Sequence, residues 1–212
     1  MKITIIYDNE TLRGDLQANW GFAALVDSNG RRILFDTGAS GALLLSNMKA
    51  LEIAPEGIDD VFISHFHFDH TGGLSAFLDR HGDVTVWIPP SFRGVKNARS
   101  VIEVGTPKTL FDGIHSTGEL EGIEQSLCVQ TRKGILVVAG CSHPRMKTIL
   151  GQASRFGEVY GIIGGLHGNT AESLNGLKFI CPTHCTQYQH EIRSLYPEQY
   201  TQGGAGKVIE II

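Results

Sequence analysis

Apolar residues along this chain fall mostly into short runs bounded by Gly, Pro, Asn or Asp, the layout of strands and turns rather than of long helices. Lys2–Tyr7, residues 21–27 and Arg31–Phe35 predict three strands, with Asn29-Gly30 as a hairpin signal between the last two. Residues 8–19 are polar and irregular and read as a loop over one end of the sheet. Residues 40–51 carry Leu43, Leu44, Met48 and Leu51 at helical spacing. A strand over 61–64 and a helix over 74–80 follow. Residues 84–88 predict a strand stopped by Pro89-Pro90, and 100–104 and 108–115 short strands. Residues 127–131 and 135–139 predict strands around a turn at Arg132-Lys133-Gly134. A helix over 144–156 has proline near its first turn. Strands over 159–163 and 177–181, a helix over 187–195 and a last strand over 207–211 complete the chain. With no linker, repeat or composition break, one domain over 1–212 with two packed sheets and outer helices is the expected layering.

Composition narrows this little. The 212 residues suffice for a sizeable core, and 42% apolar with 19% charged residues is ordinary for a globular chain. Eighteen Lys and Arg against 22 Asp and Glu give a formal net charge of −4, which offers no footing for nucleic acid or an anionic membrane. The N-terminus lacks a signal-peptide pattern and no run is apolar enough to span a bilayer, so a cytoplasmic setting is expected. There Cys128, Cys141, Cys181 and Cys185 read as free thiols in the core or the site.

The chemistry is concentrated in Ser64-His65-Phe66-His67-Phe68-Asp69-His70-Thr71-Gly72-Gly73-Leu74, directly after the apolar run Val61-Phe62-Ile63. In an extended segment residues two apart share a face, so His65 and His67 can hold one metal ion. A turn at Thr71-Gly72-Gly73 lets Asp69 and His70 face a second position, and Phe66 and Phe68, on the other parity, are expected to pack the loop down. His143, His167 and His184 each follow an apolar strand and a small-residue turn, where loops converge over a sheet. His81 and His190 are expected to face solvent, and His115 either lines the cleft or plays no part.

The run from Ser64 to Leu74 resembles the metal-binding signature of the metallo-β-lactamase superfamily, and Ile33-Leu34-Phe35-Asp36-Thr37-Gly38 resembles its first motif. Gly140-Cys141-Ser142-His143-Pro144, Gly164-Gly165-Leu166-His167, Pro182-Thr183-His184-Cys185 and Gly206-Lys207-Val208-Ile209 resemble one branch. That branch holds dihydropterin-6-methyl-(ribofuranosyl)aminobenzene-phosphate synthase-like proteins and metal-dependent hydrolases. The resemblance implies an α/β fold, a four-layer αββα sandwich of two mixed sheets with outer helices, and two divalent metal ions, zinc first, with manganese or iron as alternatives. It places His65, His67 and His143 on the first ion, with His167 as the alternative to His143. It places Asp69, His70 and His184 on the second, with Asp36 supporting the site from behind. Water held between the ions would be acidified and attack as hydroxide. Asp69 could orient it, and His167 serve as substrate-facing acid or electrostatic group. Gly203-Gly204-Ala205-Gly206-Lys207 is not a nucleotide P-loop, yet its amides and Lys207 could hold an anionic group of a small-molecule substrate.

One departure stands out. The superfamily pattern expects a bridging aspartate after a later strand, but no aspartate follows Asp112, and Gly140-Cys141 occupies the corresponding strand end. Either Cys141 contributes sulfur, or solvent alone joins the ions, or the second site is weak. Three functions remain open: a hydrolase of an ester, lactone or phosphodiester, a synthase in pterin-type cofactor assembly with Trp20, Phe22 and Tyr188 as stacking candidates, and a non-catalytic metal-binding or sensing protein. Oligomeric state is not legible.

Overall fold

The structure, a computed structural model, describes residues 1–211. Strands β1 (Lys2–Tyr7), β2 (Ala23–Ser28) and β3 (Arg31–Phe35) form an antiparallel meander. β4 (Asp60–Phe62), β5 (Thr85–Ile88) and β6 (Ser100–Glu103) add to its edge in parallel. The second sheet has the spatial order β12-β11-β10-β9-β8-β7. β7 (Lys108–Phe111), β8 (Ile114–Ser116), β9 (Leu127–Thr131) and β10 (Gly134–Ala139) run antiparallel, while β10, β11 (Val159–Gly165) and β12 (Phe179–Thr183) run parallel. The last strand, β13 (Val208–Glu210), returns to the first sheet beside β1. This is the expected αββα sandwich of two mixed sheets.

Period-two alternation sorts side chains between layers. Leu127, Val129, Leu136 and Val138 point between the sheets with Ile3, Ile5, Phe35 and Phe62. The alternate residues Cys128, Ile135 and Val137 face outward under helices α4 (Met146–Ala153) and α5 (Gln189–Leu195). On the other side, Leu34, Val61 and Val86 pack beneath α1 (Gly41–Ala50) and α3 (Leu74–Arg80) through Leu44, Met48 and Phe77. Each fully buried aliphatic side chain contributes about 1.5–3 kcal/mol, so the two sheets hold each other rigidly.

The parallel strands matter most for the site, because their carboxyl ends open at one edge of the sandwich. Asp36 follows β3, Ser142 follows β10, His167 follows β11 and His184 follows β12, and all four have left-handed φ angles of 52°, 56°, 42° and 49°. Each such residue costs on the order of 1 kcal/mol. Four sharp strand-end turns in one place are the backbone strain of a functional edge.

Several expectations are corrected. The run after β4 is not a plain loop: it contains a one-turn helix, α2 (Phe68–Thr71), with His67 at its N-cap position and no side-chain cap. Phe66 and Phe68 do not pack the loop down, being 60% and 71% exposed. Polar bonds do that work, since Thr37 N and Oγ1 both donate to the His70 carbonyl, at 2.8 and 2.9 Å, and Gly73 N donates to Gly38 O. His81 is half-buried, with Nε2 donating to Ile58 O at 3.1 Å, because α3 ends against the segment leading to β4. Pro144 lies outside α4, which starts at Met146.

Candidate metal centre

Two groups of donors meet where the parallel strands end. His65, His67 and His143 form the first, and Asp69, His70, Cys141 and His184 the second, with the donor atoms within 4.8 Å of one another in each group. In the first, His67 Nδ1 lies 3.1 Å from both His65 Nε2 and His143 Nε2. In the second, His70 Nε2 lies 3.1 Å from Cys141 Sγ and 3.6 Å from Asp69 Oδ2, and His184 Nε2 lies 3.1 Å from Asp69 Oδ2. Donors 2.0–2.3 Å from one tetrahedral ion stand roughly 3.3–3.6 Å apart, so both groups have the spacing of a ligand set.

The proton positions decide whether the rings offer lone pairs. Asp36 is fully buried; its Oδ1 accepts from Ser64 N at 2.8 Å, and its Oδ2 accepts from Ser64 Oγ and His70 Nδ1, both at 2.7 Å. His70 therefore carries its proton on Nδ1 and turns a bare Nε2 to the second group. Ser64 has spent its only hydrogen on Asp36, so at 2.8 Å it accepts from His65 Nδ1, and His65 Nε2 is bare toward the first group. His184 Nδ1 donates to Asn9 Oδ1 at 3.0 Å, while Asn9 Nδ2 donates to His184 O, which fixes the amide and frees His184 Nε2. His184 Nε2 and the ionised Asp69 Oδ2, 3.1 Å apart, then face each other with lone pairs and repel unless a cation lies between them, and with a bare His65 Nε2 turned to the first group the donor set fits two metal ions.

The electrostatics agree at His65 and His143 and differ at His70, where the surrounding carboxylates favour a charge that a bound cation would replace. Burial, followed by the neighbouring imidazoles, holds His65 far below the usual histidine range and takes His143 down to about 4. Burial works against a charge on His70, but Asp36 and Asp69 outweigh it and raise that ring. Burial would raise Asp69, yet His184 and His70 pull it well below the ordinary carboxylate value. The nearby Cys185 sulfur and burial keep the Cys141 thiol protonated until a cation displaces its hydrogen. Gly140 is obligatory next to it: a Cβ there would stand 2.1 Å from Ser64 Oγ and 3.1 Å from His65 Nδ1.

The structure brings together six of the eight residues expected at the site, leaving out His167 and Lys207. His143, not His167, joins His65 and His67; the His167 ring lies beside His143 at 4.9 Å between centroids, half-buried and outside both groups. Lys207 is half-buried in the turn before β13, and its ammonium makes no hydrogen bond or ion pair among the described residues. His115 stacks on Phe156 at 4.3 Å, away from both groups. Phe22 lies in the inter-sheet core and cannot stack on a substrate, whereas Trp20 is 56% exposed against His184 at 4.8 Å. Cys128 and Cys181 are core residues, and Cys185 contacts the Cys141 carbonyl.

Sequence reasoning missed Asn9, Glu124 and Asp8. Asp8 is buried behind Asn9; its Oδ2 has no partner, and burial, against the amides of Glu10, His184 and Asn9, raises its carboxyl to about 7. The folded chain holds that proton between about pH 4 and 7 while the unfolded chain releases it, so this group takes stability away as pH rises through that window. We expect Asp8→Asn, in metal-free protein, to match the wild type near pH 4. The variant should become more stable by up to about 4 kcal/mol at pH 8 in denaturant titrations. A difference that does not change with pH would contradict this account.

These features define a two-metal centre on an αββα sandwich, and the chain belongs to the metallo-beta-lactamase superfamily, whose sequence profile matches residues 14–143. A 7,8-dihydropterin-6-methyl-4-(beta-D-ribofuranosyl)-aminobenzene-5'-phosphate synthase of Methanocaldococcus jannaschii is 29% identical over 264 aligned positions, covering 92% of this chain and 90% of that protein. Tm1679, a solved metal-dependent hydrolase of the beta-lactamase superfamily, superposes with TM-score 0.79 at 23% identity, covering 100% of this chain and 99% of the other. The metallo-beta-lactamase fold protein YhfI from Bacillus subtilis gives TM-score 0.71 at 15% identity, with 98% of each chain covered.

Proposed function

We propose that this chain is a metal-dependent hydrolase acting on a small, anionic ester, lactone or phosphodiester. The observation that carries the reading is the convergence of two donor groups at the open edge of the sheets, with the protons of His65, His70 and His184 turned away from the metal positions. His65, His67 and His143 would hold one ion, and Asp69, His70, Cys141 and His184 would hold the other. When bound, the pair supplies Lewis acidity and an acidified water nucleophile. Asp69, whose carboxylate stays ionised beside His184, orients the attacking water. His167, at the side of His143, faces the substrate and provides the proton or positive electrostatics for the leaving group. Lys207 serves as a more distant anion contact. A donor set mixing nitrogen, oxygen and sulfur favours zinc over manganese or iron.

The reading includes a reduced, cytoplasmic setting, supported by four free cysteines; no described helix is long and apolar enough to cross a membrane. A second reading, a synthase acting on a pterin-like substrate, is favoured by the relative of that activity and by the flat exposed face of Trp20 beside His184. Elemental analysis of chain purified without chelator should give close to two ions per chain, and a panel of chromogenic phosphodiesters, lactones and thioesters should find turnover. A metal content near zero would sink the catalytic reading. Near one with no turnover, the chain would be a metal-holding or sensing protein.

A further inference from the structure

The buried carboxylate of Glu124 belongs to neither donor group, and no role in hydrolysis calls on it. It is 1% exposed and collects four successive backbone amides: Oε1 accepts from Gly140 N at 3.0 Å, Cys141 N at 3.0 Å and Ser142 N at 3.1 Å, and Oε2 accepts from His143 N at 2.9 Å. These are the amides of the turn that presents Cys141 to one metal position and His143 to the other. Ser142, within it, sits at a φ of 56°, so the turn is strained and needs an external hold. The other end of Glu124 is equally constrained. Its backbone pairs as an isolated antiparallel bridge with His65, and Gln125 N donates to Ser64 O at 2.9 Å. Gln125 Nε2 donates to Ile63 O at 2.9 Å and its Oε1 accepts from Ser116 Oγ at 2.7 Å, which anchors the segment to both sheets.

We propose that Glu124 is a positioning residue that sets the register between the two halves of the metal centre. Its backbone holds the His65 turn of the first sheet, and its carboxylate holds the Cys141–His143 turn of the second. The proposal rests on the metal-centre reading above and adds a residue that touches no metal. A carboxylate suits the task because acceptor-only oxygens can take four N–H groups at once. An amide in its place turns two hydrogens toward one or more of those donors. A shorter carboxylate cannot reach both turns. Either change lets the Cys141 sulfur and the His143 nitrogen drift relative to His65 without removing a ligand.

The test uses cobalt(II), whose bond to a thiolate gives a sulfur-to-metal charge-transfer absorption. Cobalt titrations of wild type, Glu124→Gln, Glu124→Asp and Gln125→Ala, with thermal unfolding of each, separate positioning from general destabilisation. Gln125→Ala removes equally buried polar contacts from the same segment but leaves the amide cradle intact. The expected result is a loss of about 10–100-fold in cobalt affinity in both Glu124 variants, with the charge-transfer band weakened or displaced at saturation. Gln125→Ala should melt earlier than wild type but keep both affinity and band. Wild-type affinity and band in Glu124→Gln and Glu124→Asp would overturn the proposal, as would an equal loss in Gln125→Ala. Failure of both Glu124 variants to fold in excess zinc would also overturn it, because the carboxylate would then belong to the frame of the fold. A wild-type chain that binds cobalt without any charge-transfer band fails the Cys141 assignment instead, whatever the Glu124 variants do.

Discussion

His67→Ala should lower kcat/KM by about three orders of magnitude on any substrate the chain turns over, and should remove one of the two bound ions. Loss of one ion's charge stabilisation costs several kcal/mol in the transition state, and each 1.36 kcal/mol is a factor of ten in rate. His67 is the informative choice because its side chain does nothing else. It is exposed, and its Nδ1 meets only His65 Nε2 and His143 Nε2, both at 3.1 Å. The contributions of His67 to the fold come from its backbone, whose carbonyl accepts from His70 N, Thr71 N and Thr71 Oγ1 at the start of α2. Those bonds survive the substitution, so metal-free stability should stay within about 0.5 kcal/mol of wild type, the range of an ordinary surface change. His70→Ala would not separate the two effects, since His70 is fully buried and bonded to Asp36. Turnover and metal content by elemental analysis, measured on the same preparation, check the expectation. Undiminished turnover would mean that the activity came from a contaminant, and two retained ions would mean that His67 is not a ligand.

The difference between His67 and Glu124 shows what the sequence made legible and what it hid. The histidines were visible because rare residue types were crowded at extended-strand spacing behind an apolar run, and because three later strands ended in the same small-residue pattern. The strands of the parallel edge were visible for the same reason, since residues buried on both faces make near-continuous apolar runs. Helix ends were less legible: α5 starts at Gln189 rather than 187, and α4 at Met146 rather than at Pro144, because neither helix has a side-chain cap to mark its start. Phe66 and Phe68 misled because alternation across a strand does not continue into α2: Phe68 opens that helix with its ring outward, and Phe66, two residues before it, lies on the surface beside Phe92.

Glu124 was not legible because its partners are backbone amides, which every residue carries. Nothing local separates it from Glu119 and Glu121, which contact the Ser91 amide and the Arg145–Thr148 surface. Asn9 lay in a polar segment that read as a plain loop, and only the return of β13 beside β1 and the closure of Thr11 against Ala205 bring that loop to His184. Cys141 was an intermediate case. The absent aspartate marked its position as unusual, but only the 3.1 Å approach to His70 Nε2 moved its sulfur from packing to the ligand group.

Asp36→Ala should destabilise the metal-free chain by about 3–5 kcal/mol, the usual result of removing one partner from a buried charged pair. It strands three buried donors: Ser64 N, Ser64 Oγ and His70 Nδ1. It also puts alanine at a φ of 52°, which an aspartate or asparagine tolerates better. Asp36→Asn has the more specific consequence. Its carbonyl can still accept from Ser64 N, but its amide then occupies the place of Oδ2 and faces two donors. Relief comes if His70 accepts at Nδ1 and moves its proton to Nε2, and if Ser64 accepts from the amide and donates to His65 Nδ1. His65 then also carries its proton on Nε2. One substitution thereby turns an N–H toward each metal position, as wrong-tautomer substitutions do in other histidine-dependent sites. Asp36→Asn should consequently fold, yet bind both ions about 10–100-fold more weakly than wild type in competition with a chromogenic chelator. Wild-type affinity for both ions in that variant would show that Asp36 does not govern the ring protons. Loss of one ion alone would confine its control to one of the two rings: to His70 if the second group empties, and to His65 through Ser64 if the first does.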